Sequence, residues 1–278
     1  MMTRVSILSE NCVAEPYGII GEHGFSAFVE TADSNFLFDT GQGKVLMNNC
    51  FIMGKDLSSI KFLVLSHGHY DHTSGLPDVL MKKSPLDVYC HPDVFSERYW
   101  VQQGKANAKF VGIPFRREYL ESLGANFRFV REFMELDKGI YLTGEVPQNI
   151  PPEFDDHMEI VDENGRHIKD PLLDDFSIAI DTKKGLLILL GCAHAGLVNI
   201  LQHIIEKTGK DRIFGVIGGT HLGFSTKGQI EEAVEILEQY QIQKIGASHC
   251  TGLHVTAGLS NHFKDRFFFA SAGSVFEI

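Results

Sequence analysis

A chain of 278 residues, 44% of them hydrophobic, can bury a sizeable core, so one large domain or two fused halves sharing a core is expected. A formal charge of −11, with no local Lys/Arg cluster, argues against a nucleic-acid partner. There is no run of about 18 apolar residues to span a membrane, and MMTRVSILSE lacks the basic-then-apolar pattern of a signal peptide, so a soluble cytoplasmic chain is expected.

In chain order, SAFVETADSNFLFDTG (26–41) reads as two strands around a polar turn. KFLVLS (61–66) and LDVYCH (86–91) read as strands, since short β-rich apolar runs bounded by polar segments suit a sheet interior. Residues 92–124 are polar, aromatic and in places basic, and are expected to form helical or irregular cover. Residues 145–175 hold ten acidic side chains, Glu145, Glu153, Asp155, Asp156, Glu159, Asp162, Glu163, Asp170, Asp174 and Asp175, against Arg166 and Lys169. They read as a solvated surface excursion, with a lid over a pocket as the alternative, and Asn164-Gly165 marks a hairpin tip. FSIAIDTKKGLLILLG (176–191) is two strands joined by TKKG. A helix (196–209), a strand (212–219), a helix (228–241) and a strand (244–249) follow. Leu197, Val198, Ile200, Leu201, Ile204 and Ile205 recur at helical spacing, so that helix packs one face on a sheet. The order is that of a layered α/β chain, read as a single domain over 1–278 with insertions at about 92–124 and 145–175 near the site edge.

The five cysteines, Cys12, Cys50, Cys90, Cys192 and Cys250, are scattered without a C-x-x-C pair, which argues against both a disulfide framework and a structural zinc knuckle. The chemistry is concentrated instead in SHGHYDHTSGL (66–76). A strand ending at Ser66 delivers His67 and His69 at i and i+2 with both imidazoles on one side. The chain must then turn, which brings Asp71 and His72 to a neighbouring position, and Gly68 permits the bend. Such a group can hold two metal ions about 3.5–4 Å apart. The buried strand in front and the acid between the histidines argue against a merely polar surface loop.

H-x-H-x-D-H after a strand, with FDTG (38–41) before it and GCAHAGLVN (191–199), GGTHL (218–222) and SHCTG (248–252) after it, resembles the metallo-β-lactamase superfamily. Together with EHGFSAFVE (22–30) and TGEVP (143–147) it is similar to the branch named for dihydropterin–ribofuranosylaminobenzene phosphate synthase. The resemblance implies an αβ/βα sandwich, two mixed β-sheets face to face with helices outside, and one or two divalent metals at one edge, zinc first with manganese or iron as alternatives. It implies His67, His69 and His194 as ligands of one metal and Asp71, His72 and His249 as ligands of the other, with Asp39 beneath them orienting a histidine. A bridging aspartate is usual after the strand-end glycine, yet Cys192 follows Gly191, so either a thiolate takes that place or the bridge is lost.

His221, at another strand end, is open to three roles: ligand, substrate contact or proton donor. His23 is a candidate substrate contact, and Asp71 can orient an activated water. His91 is set aside as structural, and His157, His167, His203, His254 and His262 as surface groups. Tyr99, Trp100, Phe110, Phe115 and Tyr119 offer stacking for a flat ring, and Arg116 and Arg117 pairing for a phosphate. The expected function is a metal-dependent hydrolase of a small phosphorylated or heterocyclic metabolite, acting through a metal-bound hydroxide. A transferase joining a dihydropterin diphosphate to a ribofuranosylaminobenzene phosphate-like acceptor is the alternative, and a non-catalytic metal-containing sensor the second.

Overall fold

Apolar residues alternate in the direction they face along the central strands, and there both faces of each main sheet are dry. Along Asn35–Phe38, Phe36 and Phe38 point to one core and Leu37 to another. Along Gly185–Leu190, Leu187 and Leu189 face the same core as Phe36, while Leu186, Ile188 and Leu190 face a third. This pattern requires a sheet-on-sheet interface with helices outside each sheet, and a computed structural model, describing residues 3–14, 17–101, 108–150 and 157–278, has that architecture.

The first seven-stranded sheet runs in the order Val275–Glu277, Arg4–Ser9, Ser26–Glu30, Asn35–Phe38, Phe62–Val64, Leu86–Cys90, Ala125–Phe129. The second runs Phe267–Phe269, Lys244–Ser248, Ile213–Gly219, Gly185–Leu190, Ser177–Thr182, Ile140–Leu142, Met134–Asp137. Helices Leu46–Ile52, Leu76–Lys82 and Arg117–Ser122 cover the first, contributing Leu46, Leu76, Val79 and Leu120 to its outer core. Helices Leu197–Thr208, Lys227–Gln239 and Leu253–Phe263 cover the second. Leu197–Thr208 ends at Gly209, whose left-handed backbone (φ 65°) lets its N–H close on the Ile205 carbonyl. Lys227–Gln239 begins with a capping box between Thr226 and Gln229. The expected strands and helices from 26 to 91 and from 176 to 249 are present to within a residue or two.

The two excursions are more than cover: beside the covering helix Arg117–Ser122 they build a sheet of their own. Arg98–Trp100 and Lys109–Phe110 from the first pair with Met158–Val161 and His167–Lys169 from the second in a four-stranded sheet of order His167–Lys169, Met158–Val161, Arg98–Trp100, Lys109–Phe110. Gly165 (φ 73°) lies in the connection between Met158–Val161 and His167–Lys169, where the hairpin tip is expected. Asp170, Asp174 and Asp175, expected in solvent, are buried instead. Glu153, Asp155 and Asp156, and residues 102–107, lie outside the described residues.

This topology decides where side chains can meet. Asn35–Phe38 and Phe62–Val64 are parallel, as are Gly185–Leu190, Ile213–Gly219 and Lys244–Ser248. Their carboxyl ends deliver Asp39, Ser66-His67, Gly191-Cys192, Thr220-His221 and His249 to one edge of the sandwich, the usual place for ligands in sheets of this kind.

Candidate metal centre

The edge is built from turns too sharp for ordinary backbone. Asp39 (φ 60°), Ala193 (φ 59°), His221 (φ 56°) and His249 (φ 49°) are all non-glycine residues in the left-handed region, and each follows one of the strands named above. Such conformations cost on the order of 1–3 kcal/mol each and persist where the surrounding packing imposes them.

Those turns aim the rings at one another. The ring centroids of His67 and His69 are 4.5 Å apart, and His194 lies 4.9 Å from the first and 5.2 Å from the second. Beside them, His72 Nε2 is 3.2 Å from His249 Nε2, and Asp71 Oδ2 is 3.3 Å from His249 Nε2 and 3.1 Å from His23 Nε2. Cys192 belongs to both sides: its sulfur groups with the nearest nitrogens of His67 and His194, and again with those of His72 and His249. It is 3.3 Å from His72 Nε2. Asp39 sits beneath, 2.7 Å from His72 Nδ1, and accepts hydrogen bonds from the Ser66 amide (2.7 Å) and hydroxyl (2.6 Å).

A further pair was not read from the sequence. Glu10 accepts from the His249 amide (2.7 Å), and Asn11 Oδ1 lies 3.0 Å from His249 Nδ1. The signal was an acid and an amide directly after the strand Arg4–Ser9, which itself was overlooked.

Burial governs the titration. It holds His67 and His194 well below the usual histidine range, with neighbouring imidazoles adding to it, and brings His69 to about 3 with help from Arg98. Burial acts the same way on His72, but Asp39 and Asp71 outweigh it and carry that ring up to about 9. Burial would raise Asp71, yet His72 and hydrogen bonds from His23 and His249 keep it well below the usual carboxylate range. The Cys192 thiol, buried beside Cys250, is pushed well above its ordinary value.

The family model described as Metallo-beta-lactamase superfamily matches residues 19–181. The chain belongs to the metallo-beta-lactamase superfamily. Its relatives include 7,8-dihydropterin-6-methyl-4-(beta-D-ribofuranosyl)-aminobenzene-5'-phosphate synthase of Methanocaldococcus jannaschii, 28% identical over 91% of this chain and 89% of that one. An uncharacterized protein of the same organism is 32% identical over 92% of this chain and 93% of that one. Among solved structures, Tm1679, a metal-dependent hydrolase of the beta-lactamase superfamily, is 27% identical and superposes with a TM-score of 0.85 over 99% of both chains.

A metallo-beta-lactamase fold implies divalent metal, and the residues present fit one. Among the described residues, His67 Nε2 and His69 Nε2 are buried and find no hydrogen-bond partner. Leaving such an atom unsatisfied costs about 1–3 kcal/mol, a penalty a cation removes. Imidazole, carboxylate and thiol are also the donors that divalent transition metals take. His67, His69 and His194 would hold one ion and Asp71, His72 and His249 a second, with Cys192 between.

The remaining expectations fare differently. His221 is buried with its ring 4.3 Å from that of His194, and burial brings it down to about 3. His23, 56% exposed at the side chain, sits at the mouth. Arg116 and Arg117 are not brought to the cluster: they line a separate cleft of about 380 Å³ with Phe95, Tyr99, Phe110 and Phe115. Arg117 is engaged there, donating to Glu121 (2.7 Å) and lying 5.0 Å over Phe129. Of the expected stacking residues, Tyr99 packs on Phe110, Phe115 on Tyr119, and Trp100 beneath Lys109. His91 is structural, held by Glu145 (2.9 Å). His203, expected at the surface, is buried and 3.0 Å from the Thr143 carbonyl, because its face of Leu197–Thr208 turns inward.

Proposed function

We propose that this chain is a metal-dependent hydrolase of a small phosphorylated or heterocyclic metabolite. The observation that carries the reading is the pair of ligand groups at the sandwich edge, joined through Cys192. A divalent ion bound there supplies Lewis-acid polarisation of the electrophile and an activated water. The chain supplies the rest. Neutral His67, His69 and His194 present lone pairs without first losing protons. Asp71, ionised and facing His23 and His249, orients a nucleophile's proton and keeps negative charge on that side of the site. His221 offers a neutral ring for hydrogen bonding to substrate. Phe224, 60% exposed and 4.8 Å ring to ring from His221, gives an apolar face at the rim for a flat ring.

The test is turnover of phosphodiesters, lactones, thioesters and a pterin diphosphate by metal-loaded protein, lost with chelator and restored by metal. Hydrolysis of any of these supports the reading. A second reading, transfer of a dihydropterin group onto an aromatic amine with release of diphosphate, is favoured by the synthase relative that spans 91% of this chain. It replaces hydrolysis if diphosphate appears only when an arylamine acceptor is present. Tight metal binding with no turnover of any kind would leave the sensor reading.

A further inference from the structure

The segment Asp174-Asp175-Phe176 enters the strand Ser177–Thr182 directly beneath the metal edge, and its three residues reach three different parts of that edge. Asp174 Oδ2 accepts from the Gly68 amide at 2.8 Å, in the turn between His67 and His69. Asp175 Oδ2 accepts from the Ala195 amide at 2.9 Å, next to His194. The Phe176 amide donates to the Ser66 carbonyl at 2.8 Å. Ser66 to His69 follow a strand of the first sheet, and Cys192 to Ala195 follow a strand of the second.

The bracket is itself anchored. Arg98, 1% exposed, donates from Nη2 to Asp174 Oδ1 (2.8 Å) and from Nε to Asp170 Oδ2 (2.7 Å). It also floors the histidine turn: a Cβ on Gly68 would stand 2.2 Å from Arg98 Nη1 and 2.3 Å from the Val94 carbonyl, so only glycine lets the turn seat there. Arg98 comes from the accessory four-stranded sheet, which is thereby coupled to the metal edge.

From these contacts we infer that Asp174 and Asp175 are positioning residues that set the spacing of His67 and His69 against His194 across the two sheets. The inference rests on the metal-centre reading above. Two adjacent carboxylates on one rigid strand start leave little freedom between the loops they hold. Hydrogen bonds that orient ligands in this way tune the metal without touching it.

The experiment compares full-length wild type with Asp175→Ala, Asp175→Asn and Asp174→Asn. Zinc affinity is measured by competition with a chromophoric chelator, local geometry by the visible bands of the cobalt(II) form, and fold stability by the Tm of the metal-free form. Asp175→Ala is expected to weaken zinc binding about 10- to 100-fold and to shift the cobalt bands. Asp175→Asn, which keeps a carbonyl acceptor for the Ala195 amide, should restore most of the affinity. Asp174→Asn, with one acceptor for two donors, should weaken it as well, and decides the matter if Asp175→Ala fails to fold. Wild type without bound zinc would sink the metal-centre reading itself. Wild type that binds zinc, alongside folded variants of unchanged affinity and cobalt spectrum but lower apo Tm, would overturn the positioning role and leave only a structural one.

Discussion

The sulfur of Cys192 lies 3.3 Å from Nε2 of His72, and His72 Nε2 lies 3.2 Å from that of His249. A soft donor at this spot stands where the two ligand groups meet, so a thiolate bridge, rather than a missing one, is the expectation. Cys192→Ser should lower metal content from two equivalents toward one, while Cys192→Asp should keep both. Elemental analysis after exhaustive dialysis reads the outcome, and two equivalents retained by Cys192→Ser would remove sulfur from the ligand set.

Asp39 holds His72 by its far nitrogen and is fully buried. Replacing it by Asn keeps the shape but removes the charge that favours a basic, correctly turned imidazole. Asp39→Asn is expected to weaken metal binding about 10- to 100-fold with little change in fold. Isothermal titration with zinc, beside circular dichroism, checks both halves of that statement.

Arg98 is the largest fully buried side chain among the described residues, and it balances two buried carboxylates. Arg98→Met strands Asp170 and Asp174 without a cation, a loss of about 3–5 kcal/mol by analogy with broken buried pairs. Arg98→Lys should recover only part, since an ammonium cannot serve both carboxylates in a fork. Urea unfolding of the metal-free proteins separates the three. Equal stability of wild type and Arg98→Met would contradict the account.

At the opposite end of the sandwich, Asp137 accepts from Lys61 (2.6 Å) and from the Ser34 hydroxyl, joining the second sheet to the first. The Lys61 bond, then that from Ser34, lowers its acid to about 2 from the ordinary 3.8. A depressed carboxylate stabilises the fold above its unfolded value and loses that contribution as pH falls through the folded one. Asp137→Asn should therefore cost about 1 kcal/mol or less at neutral pH, given screening at a partly exposed site. The difference should fade between pH 3.8 and about 2. Parallel denaturation curves across that range test the sign.

Much of this is legible in the sequence. Strand-end histidines announce themselves because H-x-H after an apolar run has few other uses, and the order of parallel strands then brings His194 and His249 to the same edge. Composition misled at Asp170, Asp174 and Asp175. An acid-rich segment reads as solvated, whereas burial of these three depends on Arg98, some seventy residues earlier and identifiable only through the pairing of Arg98–Trp100 with Met158–Val161. Glu10 and Asn11 were missed for a similar reason: their partner, His249, is at the other end of the chain. Arg116 and Arg117, read as a phosphate clamp, line a different cleft, a placement that depends on the accessory strands rather than on their own sequence.

The Lys61–Asp137–Ser34 contact also bears on how the molecule breathes. It ties the two sheets at the end remote from Asp39, while the other end gathers strained turns and imidazoles that a cation would draw together, linked across the sheets by the hydrogen bonds of Asp174, Asp175 and Phe176. Stripped of metal, such a sandwich has a spine and a fore-edge, like a book. Amide hydrogens of residues 39–43, 66–72 and 191–196 should then exchange through local openings of low free energy, while those near Lys61 and Asp137 keep their protection. Metal would act on exchange by closing the covers, and its influence would decline along each strand with distance from the edge.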